Sequence, residues 1–320
     1  MTSNAKALSE KPMSLEHFKE AFGIKTGLKL GELPELNNPL VVLAGTVQVP
    51  GIEGERLITV DTIHGKVAFR VGKINGHDVA IFNRHQSKPS GIITTYEGNV
   101  AKHTDFLDPQ HAQYEAHAAV IAALNPEQII TMHAGGVDPV AKRVGPLRLG
   151  RRRIGQFALV EGSIAGTSRD GRVFTEKVQK EIQRLGYSVP HRIFTPMHAE
   201  RLQDPELAAK IRGALKAMGK RLARPVVTMT HGGPTYETNH MIRDGVRRGA
   251  SAFVMTYQPE ISSLAQALNA VGSKAKLVSL VAICNYGQGL QKKPVTHGEV
   301  EAAMEKFKPQ ITGLLGRLLK

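Results

Sequence analysis

Residues 226–260 read VVTMTHGGPTYETNHMIRDGVRRGASAFVMTYQPE, which parses as strand, turn, helix and strand. Val226–Thr230 is a short apolar run rich in β-formers. Gly232-Gly233-Pro234 breaks it, since glycine and proline together mark a turn. Glu237–Arg248 carries Met241, Ile242 and Val246 at roughly helical spacing. Gly249 stops that helix, and Ala252–Met255 reads as a second buried strand. Tyr236, Glu237, Met255, Thr256 and Glu260 gather where the strands end. Open α/β sheets bind ligands beyond the carboxyl ends of their strands. The unit therefore reads as one wall of a small-molecule pocket.

Outward from this unit the same alternation continues. Downstream, Pro259–Val271 is a predicted helix and Leu277–Ile283 a strand ending at Cys284-Asn285. Thr296-His297-Gly298-Glu299 has capping-box spacing and opens a helix to the C-terminus. Upstream, Leu40–Ala44 is a run suited to a strand buried on both faces. Its Gly45-Thr46 turn is the kind that lets backbone N–H and Oγ cradle an anion. Leu57–Thr62, Lys66–Val71 and Asp78–Phe82 read as strands, the last two joined by an Asn75-Gly76 hairpin turn. Arg84-His85 follows, either a surface basic pair or an anion site, because arginine suits bidentate contact with phosphate. Gln113–Leu124 is a helix and Glu127–His133 a buried strand. Phe157–Glu161 is a strand, and Phe174–Leu185 a helix closed by Gly186. Asp204-Pro205 caps a helix running to Leu222. This pattern predicts a three-layer α/β/α fold with a mixed central sheet over residues 39–320. Residues 1–38 read as an accessory segment, with a short helix over Leu15–Phe22 capped by Ser14.

Composition narrows the class. No apolar run of about 18 residues is present, which excludes a helical membrane span. The N-terminus lacks the apolar core of a secretory signal. A lone cysteine, Cys284, fits a reducing compartment, so a cytoplasmic location is expected. The net charge of +14 is either a solvated basic surface or a surface for a polyanion. Its densest part is Lys142–Arg153, KRVGPLRLGRRR, with six basic residues and no acid. That segment is expected as an exposed loop meeting solvent or a polyanion. No zinc spacing and no P-loop occurs, so neither a metal nor a bound cofactor is expected. Cys284 has no sequence neighbour that would lower its pKa and reads as an inert buried thiol.

GGPTYET followed by GASAFVMTYQPE resembles the trimeric purine nucleoside phosphorylase and methylthioadenosine phosphorylase family. Further matches are Tyr96-Glu97-Gly98, the run Ala134–Pro139 (AGGVDP), and His297-Gly298-Glu299-Val300. Together they extend the resemblance over about residues 40–320. It implies a nucleoside phosphorylase-like fold, a homotrimer, and two substrates, a purine nucleoside and phosphate. Thr46, Arg84, His85, Ala134 through its N–H, and Thr256 are the implied phosphate ligands. Tyr96, Tyr236, Glu237, Met255, Asn285 and His297 are the implied nucleoside ligands, with Glu237, Asn285 and His297 carrying catalysis. Three departures stand out: Val47 where the family has a second glycine, His133 where it has a small or hydroxyl residue, and Gln156 where its Gly-Asp has the aspartate. His133 is either an extra phosphate donor or a partial plug.

Phosphorolysis requires an oxyanion under C1′, a ribosyl cation and a purine that leaves without full negative charge. A donor-rich cradle and polar groups at the base meet those needs, and preorganised groups of this kind are usually the largest catalytic term. In the resembled family, asparagine at the position of Asn285 goes with 6-oxopurines and aspartate with 6-aminopurines. Histidine at the position of His297 goes with a free 5′-hydroxyl. Phosphorolysis of inosine or guanosine is therefore the expected activity. The alternatives are methylthioadenosine phosphorolysis, or a catalytically weak member acting as an RNA-associated or structural protein.

Overall fold

The computed structural model describes residues 11–27, 29, 31–45, 51–85, 112–144, 147–166, 171–190, 203–233 and 235–320. The expected contributions of Thr46, Val47 and Tyr96, and the segment 191–202, lie outside these residues. The first half of the chain runs α1 (Leu15–Ala21), β1 (Lys25–Thr26), β2 (Glu32–Leu33), β3 (Leu40–Ala44), β4 (Glu53–Thr62), β5 (Gly65–Ile74), β6 (His77–Asn83), α2 (Tyr114–Leu124) and β7 (Gln128–Val137). The second runs β8 (Val140–Val144), β9 (Leu147–Arg151), β10 (Phe157–Ala165), α3 (Glu176–Arg184), α4 (Pro205–Ala217), β11 (Val226–Thr230), α5 (Asn239–Arg247), β12 (Ala252–Val254), α6 (Tyr257–Ala270), β13 (Lys276–Tyr286) and α7 (His297–Leu318).

Nine strands form one mixed sheet in the order β12-β11-β10-β13-β7-β3-β6-β5-β4. Strands β6, β3, β7 and β13 are mutually parallel. The hairpin β4-β5-β6 adds an antiparallel edge, and its Asn75-Gly76 turn has positive φ at both residues, as a two-residue hairpin of this type demands. At the other side the sheet curls back on itself. Ala252 and Phe253 of β12 pair antiparallel with Val137 and Gly136 of β7, so β7, β13, β10, β11 and β12 close into a ring.

Strand alternation sends successive side chains to two cores. One face buries Val41, Leu43, Ile129, Val281 and Ile283 under α1, α2, α3 and α6. The other buries Val42, Met132, Leu280 and Ala282 under Leu207, Ile211 and Leu215 of α4 and Phe307, Ile311 and Leu314 of α7. The three layers of the sequence reading are thus present. Helix α1 belongs to the first core, since Phe18 and Phe22 are fully buried there. Its cap is the expected one, with Ser14 Oγ accepting from His17 N.

Several boundaries differ from the sequence reading. Strand β7 continues past His133 through the glycine pair to Val137, and β13 continues past Ile283 to Tyr286. Glycines and polar residues mark these stretches as turns locally. Pairing across the closed ring keeps them extended. Helix α4 ends at Ala217, not Leu222. Lys142–Arg153 is not a loop. Most of it is the β8–β9 hairpin, and Arg152 at its root is buried, 3% exposed. Arg152 donates to the carbonyls of Val140 (2.8 Å) and Pro225 (2.8 Å), which ties the hairpin to the segment before β11.

Candidate active site

A cavity of about 390 Å³ opens where β3, β6, β12 and β13 reach their carboxyl ends, with α7 as its outer wall. The residues expected at a site that fall within the described part of the chain all line it: Arg84, His85, Ala134, Tyr236, Glu237, Met255, Thr256, Asn285 and His297. They come from chain segments more than 200 residues apart, brought together by strand pairing within the sheet and by the packing of α7 against it.

One group of lining residues is cationic and donor-rich. Arg84 and His85 follow β6, and a Cβ placed on Gly45 would lie 3.7 Å from both Arg84 Nη1 and His85 Cδ2. Arg84 is 2% exposed. Its Nε and Nη2 grip Glu260 at 2.6 and 3.0 Å, and Nη1 and Nη2 donate to the carbonyls of Met132 (2.9 Å) and Leu43 (3.2 Å). A guanidinium has five N–H groups, so among the described residues these bonds leave one on Nη1, the atom that faces Gly45. Arg84 is therefore a buried, locked cation and not a mobile surface arm. Burial opposes ionisation of Glu260, but the charge of Arg84 and the hydrogen bonds from Arg84 and His133 outweigh it, holding the carboxyl at about 2. Thr256 precedes α6, so the amino end of that helix, which favours anions, opens on the same side.

The second group surrounds Asn285. In β13 the pairing slips between Ile283 and Asn285, which makes Cys284 a bulge residue. Alternation alone would group Asn285 with Val281 and Ile283, on the far core. The bulge re-aims it into the cavity. A Cβ on Gly136 would come within 2.5 Å of Asn285 Oδ1, so only glycine leaves room for the amide there. Glu237 is 8% exposed and its Oε1 is buried without a hydrogen-bond partner among the described residues. Burial raises its carboxyl above the ordinary range. A desolvated acid with an open acceptor in a cavity marks a ligand contact. Burial likewise pushes the Tyr236 phenol up to about 12. Its hydroxyl lies 3.2 Å from His297 Nδ1, and His297 Nε2 lies 3.3 Å from Glu301. His297 sits at the mouth, its side chain 69% exposed.

Sequence reading did not assign Glu260 its place as the partner of Arg84, nor did it anticipate the wall of Val300, Glu301, Met304 and Glu305. The Pro-Glu at the start of α6 was a signal for the first. The second depends on how α7 packs, which no local pattern reports. His133 neither plugs nor lines the cavity. Its side chain is wholly buried behind Thr256, against Glu260 and the edge of the Tyr257 ring. Cys284 is buried, and burial raises its thiol to about 12, as expected of an inert cysteine.

The sequence profile of the phosphorylase superfamily matches residues 39–320. The chain belongs to the phosphorylase superfamily. Among curated proteins, it is 25% identical to a 6-oxopurine nucleoside phosphorylase of Pyrococcus furiosus over 82% of this chain and 84% of that one. It is 24% identical to a probable 6-oxopurine nucleoside phosphorylase of Thermococcus kodakarensis with the same coverage. Among solved structures, a methylthioadenosine phosphorylase from an Antarctic soil metagenomic library superposes with a TM-score of 0.62 at 16% identity, covering 88% and 86% of the two chains. The adenine complex of Schistosoma mansoni methylthioadenosine phosphorylase gives 0.64 at 14% identity, covering 88% and 90%. These superpositions establish the phosphorylase fold of this superfamily member. Among its described residues no cluster of three or more His, Cys, Asp or Glu is placed to hold a metal, and no helix is long and apolar enough to cross a membrane.

Proposed function

We propose that the protein is a cytoplasmic purine nucleoside phosphorylase that converts 6-oxopurine nucleosides, inosine or guanosine, and phosphate to the free base and ribose 1-phosphate. The observation that carries this reading is the meeting, in one cavity, of the Gly45–Arg84–His85–Thr256 group with the Glu237–Asn285 group. Phosphate binds at the first, held by the Arg84 N–H, His85, the Ala134 N–H and Thr256. The base binds at the second. The Asn285 amide donates an N–H to O6 and its oxygen faces N7, where it accepts once the leaving base carries a hydrogen there, and Glu237 accepts from N1–H, which a 6-oxopurine carries and a 6-aminopurine lacks. Tyr236 and His297 border the ribose, with His297 at the 5′-hydroxyl, and Met255 packs on the sugar.

In the reaction the C1′–N9 bond breaks with its electron pair going to the purine, and a phosphate oxygen forms the new C1′–O bond. The hydrogen of HPO₄²⁻ is the one the free base gains overall. The locked Arg84 offers its remaining N–H to the dianion without moving, and the dianion in turn balances the ribosyl cation. Such preorganised charge is worth most where water is excluded. Incubating inosine, guanosine and methylthioadenosine each with phosphate and scoring free base tests the reading. The first two are expected to react, and failure of both would discard it. The relatives' names favour the 6-oxopurine assignment over the methylthioadenosine one. We further propose a homotrimer, tested by sedimentation.

A specific observation favours a second role beside catalysis. Arg212, Lys216, Lys220 and Arg221 line a separate depression of about 550 Å³ near the foot of the β8–β9 hairpin. All four are exposed, and among the described residues none is paired with a carboxylate. This arrangement suits a polyanion such as RNA. A gel shift that weakens steeply with salt supports it, because phosphate contacts release counterions. No shift at low salt removes it.

A further inference from the structure

The Thr256 hydroxyl is the end of a buried relay that starts at Arg84. His133 Nδ1 lies 2.9 Å from Thr256 Oγ1. On the other side of the ring, Nε2 faces Glu260 Oε1 at 3.3 Å and Thr131 Oγ1 at 3.2 Å. Both of these neighbours accept. Glu260 is ionised through its two-point contact with Arg84 and has no hydrogen to give. Thr131 spends its own hydrogen on Ser279 Oγ at 2.9 Å. Nε2 therefore carries the imidazole hydrogen. Burial lowers the pKa of His133, so the ring is neutral and Nδ1 is a lone pair. Thr256 Oγ1 donates to that lone pair. It does not cap its own helix, and what it turns toward the cavity is an acceptor.

We propose that His133 fixes the Thr256 hydroxyl as a hydrogen-bond acceptor, so that the cavity selects a hydrogen-bearing tetrahedral oxyanion over sulfate. The inference rests on the reading of this end of the cavity as the phosphate site. HPO₄²⁻ places its P–OH on Thr256 and leaves its bare oxygens for Arg84, His85 and attack at C1′. Sulfate has the same charge and nearly the same size but no hydrogen at neutral pH, and it meets a lone pair. Arsenate keeps a hydrogen and follows phosphate. A threonine without the histidine behind it rotates and donates to either anion. His133 is thus a positioning residue for anion selection, which places one of the chain's departures from the resembled pattern in a defined role.

Calorimetric titration of the full chain with phosphate, arsenate and sulfate, without nucleoside, reads the selection directly. The wild type is expected to bind phosphate and arsenate at least about tenfold more tightly than sulfate. His133→Leu is expected to bring that preference below about threefold, chiefly by tightening sulfate. Thr256→Val is expected to erase it by weakening phosphate, and it carries the test if the histidine variant does not fold. A wild type that binds sulfate as tightly as phosphate, or folded variants that keep the wild-type preference, overturns the proposal. Phosphate preference without base release from inosine overturns the phosphorylase reading and leaves the relay standing. Base release without anion preference does the reverse, and binding of neither anion overturns both.

Discussion

Asn285 and Glu260 show how differently two buried polar residues act. Asn285 reaches the cavity because of one bulge, and its amide is the group most directly matched to a 6-oxopurine. Replacing it with aspartate turns a donor into a charged acceptor facing O6. Mismatched buried groups cost about 1–3 kcal/mol. Asn285→Asp is thus expected to lower kcat/KM for inosine and guanosine by roughly tenfold to a hundredfold, with a smaller loss for methylthioadenosine. Equal loss on all three substrates would remove Asn285 as the selector. Glu260 contacts no substrate in this scheme. It neutralises Arg84, which is 2% exposed. Removing one partner of a buried ion pair leaves an uncompensated charge, and such changes cost about 3–5 kcal/mol. Glu260→Gln keeps part of the hydrogen bonding, so the expected loss is near the lower end, about 3 kcal/mol by urea midpoint. The KM for phosphate is expected to rise more than that for nucleoside.

At the scale of the element, β7 and β13 matter beyond their length. Each continues past the point where composition announces a turn, and the extra residues floor the cavity. Gly136 is where the two strands demand the closest approach. Gly136→Ala would set a Cβ 2.5 Å from Asn285 Oδ1 and 3.2 Å from Gly287 Cα, and both cannot retreat together. Overpacking of this sort costs about 1–3 kcal/mol. Nucleoside KM is expected to rise severalfold while phosphate KM holds, and a parallel rise in both would mean that the strand itself had shifted. Helix α7 supplies the opposite wall from its first turns. Thr296 Oγ1 accepts from Glu299 N at 3.3 Å and fixes the start of that helix beside His297. Thr296→Ala is expected to cost about 1 kcal/mol of stability.

For the whole molecule, the polar cluster under the sheet predicts sensitivity to acid. His117 on α2 is fully buried, and neither ring nitrogen has a hydrogen-bond partner among the described residues. Burial lowers its pKa from 6.5 to about 4. The unfolded chain therefore takes up a proton that the folded one refuses, and stability falls as pH drops from 6.5 toward 4, by about 3 kcal/mol. Glu260 adds to this at lower pH. Its folded pKa is depressed, so its contribution is intact above 4.5 and is lost as pH falls toward about 2. Urea midpoints across this range are expected to fall steeply for the wild type and more gently between pH 6.5 and 4 for His117→Leu. Identical slopes would show that His117 titrates alike in both states. By itself, the sequence determined the strand and helix alternation, the caps at Ser14, Asp204 and Thr296, the Asn75-Gly76 hairpin and, through its motifs, lining residues such as Arg84, Glu237, Asn285 and His297. Each of these follows from local backbone preference or from short motifs, which act over a few residues. Only the tertiary structure decided that β7 and β13 run on through glycines, that a bulge turns Asn285 inward, that Arg152 is buried under a hairpin, and that His133 stands behind Thr256 and not in the cavity. Those outcomes depend on contacts between segments far apart in the chain, where packing and hydrogen-bond satisfaction override what each segment prefers alone.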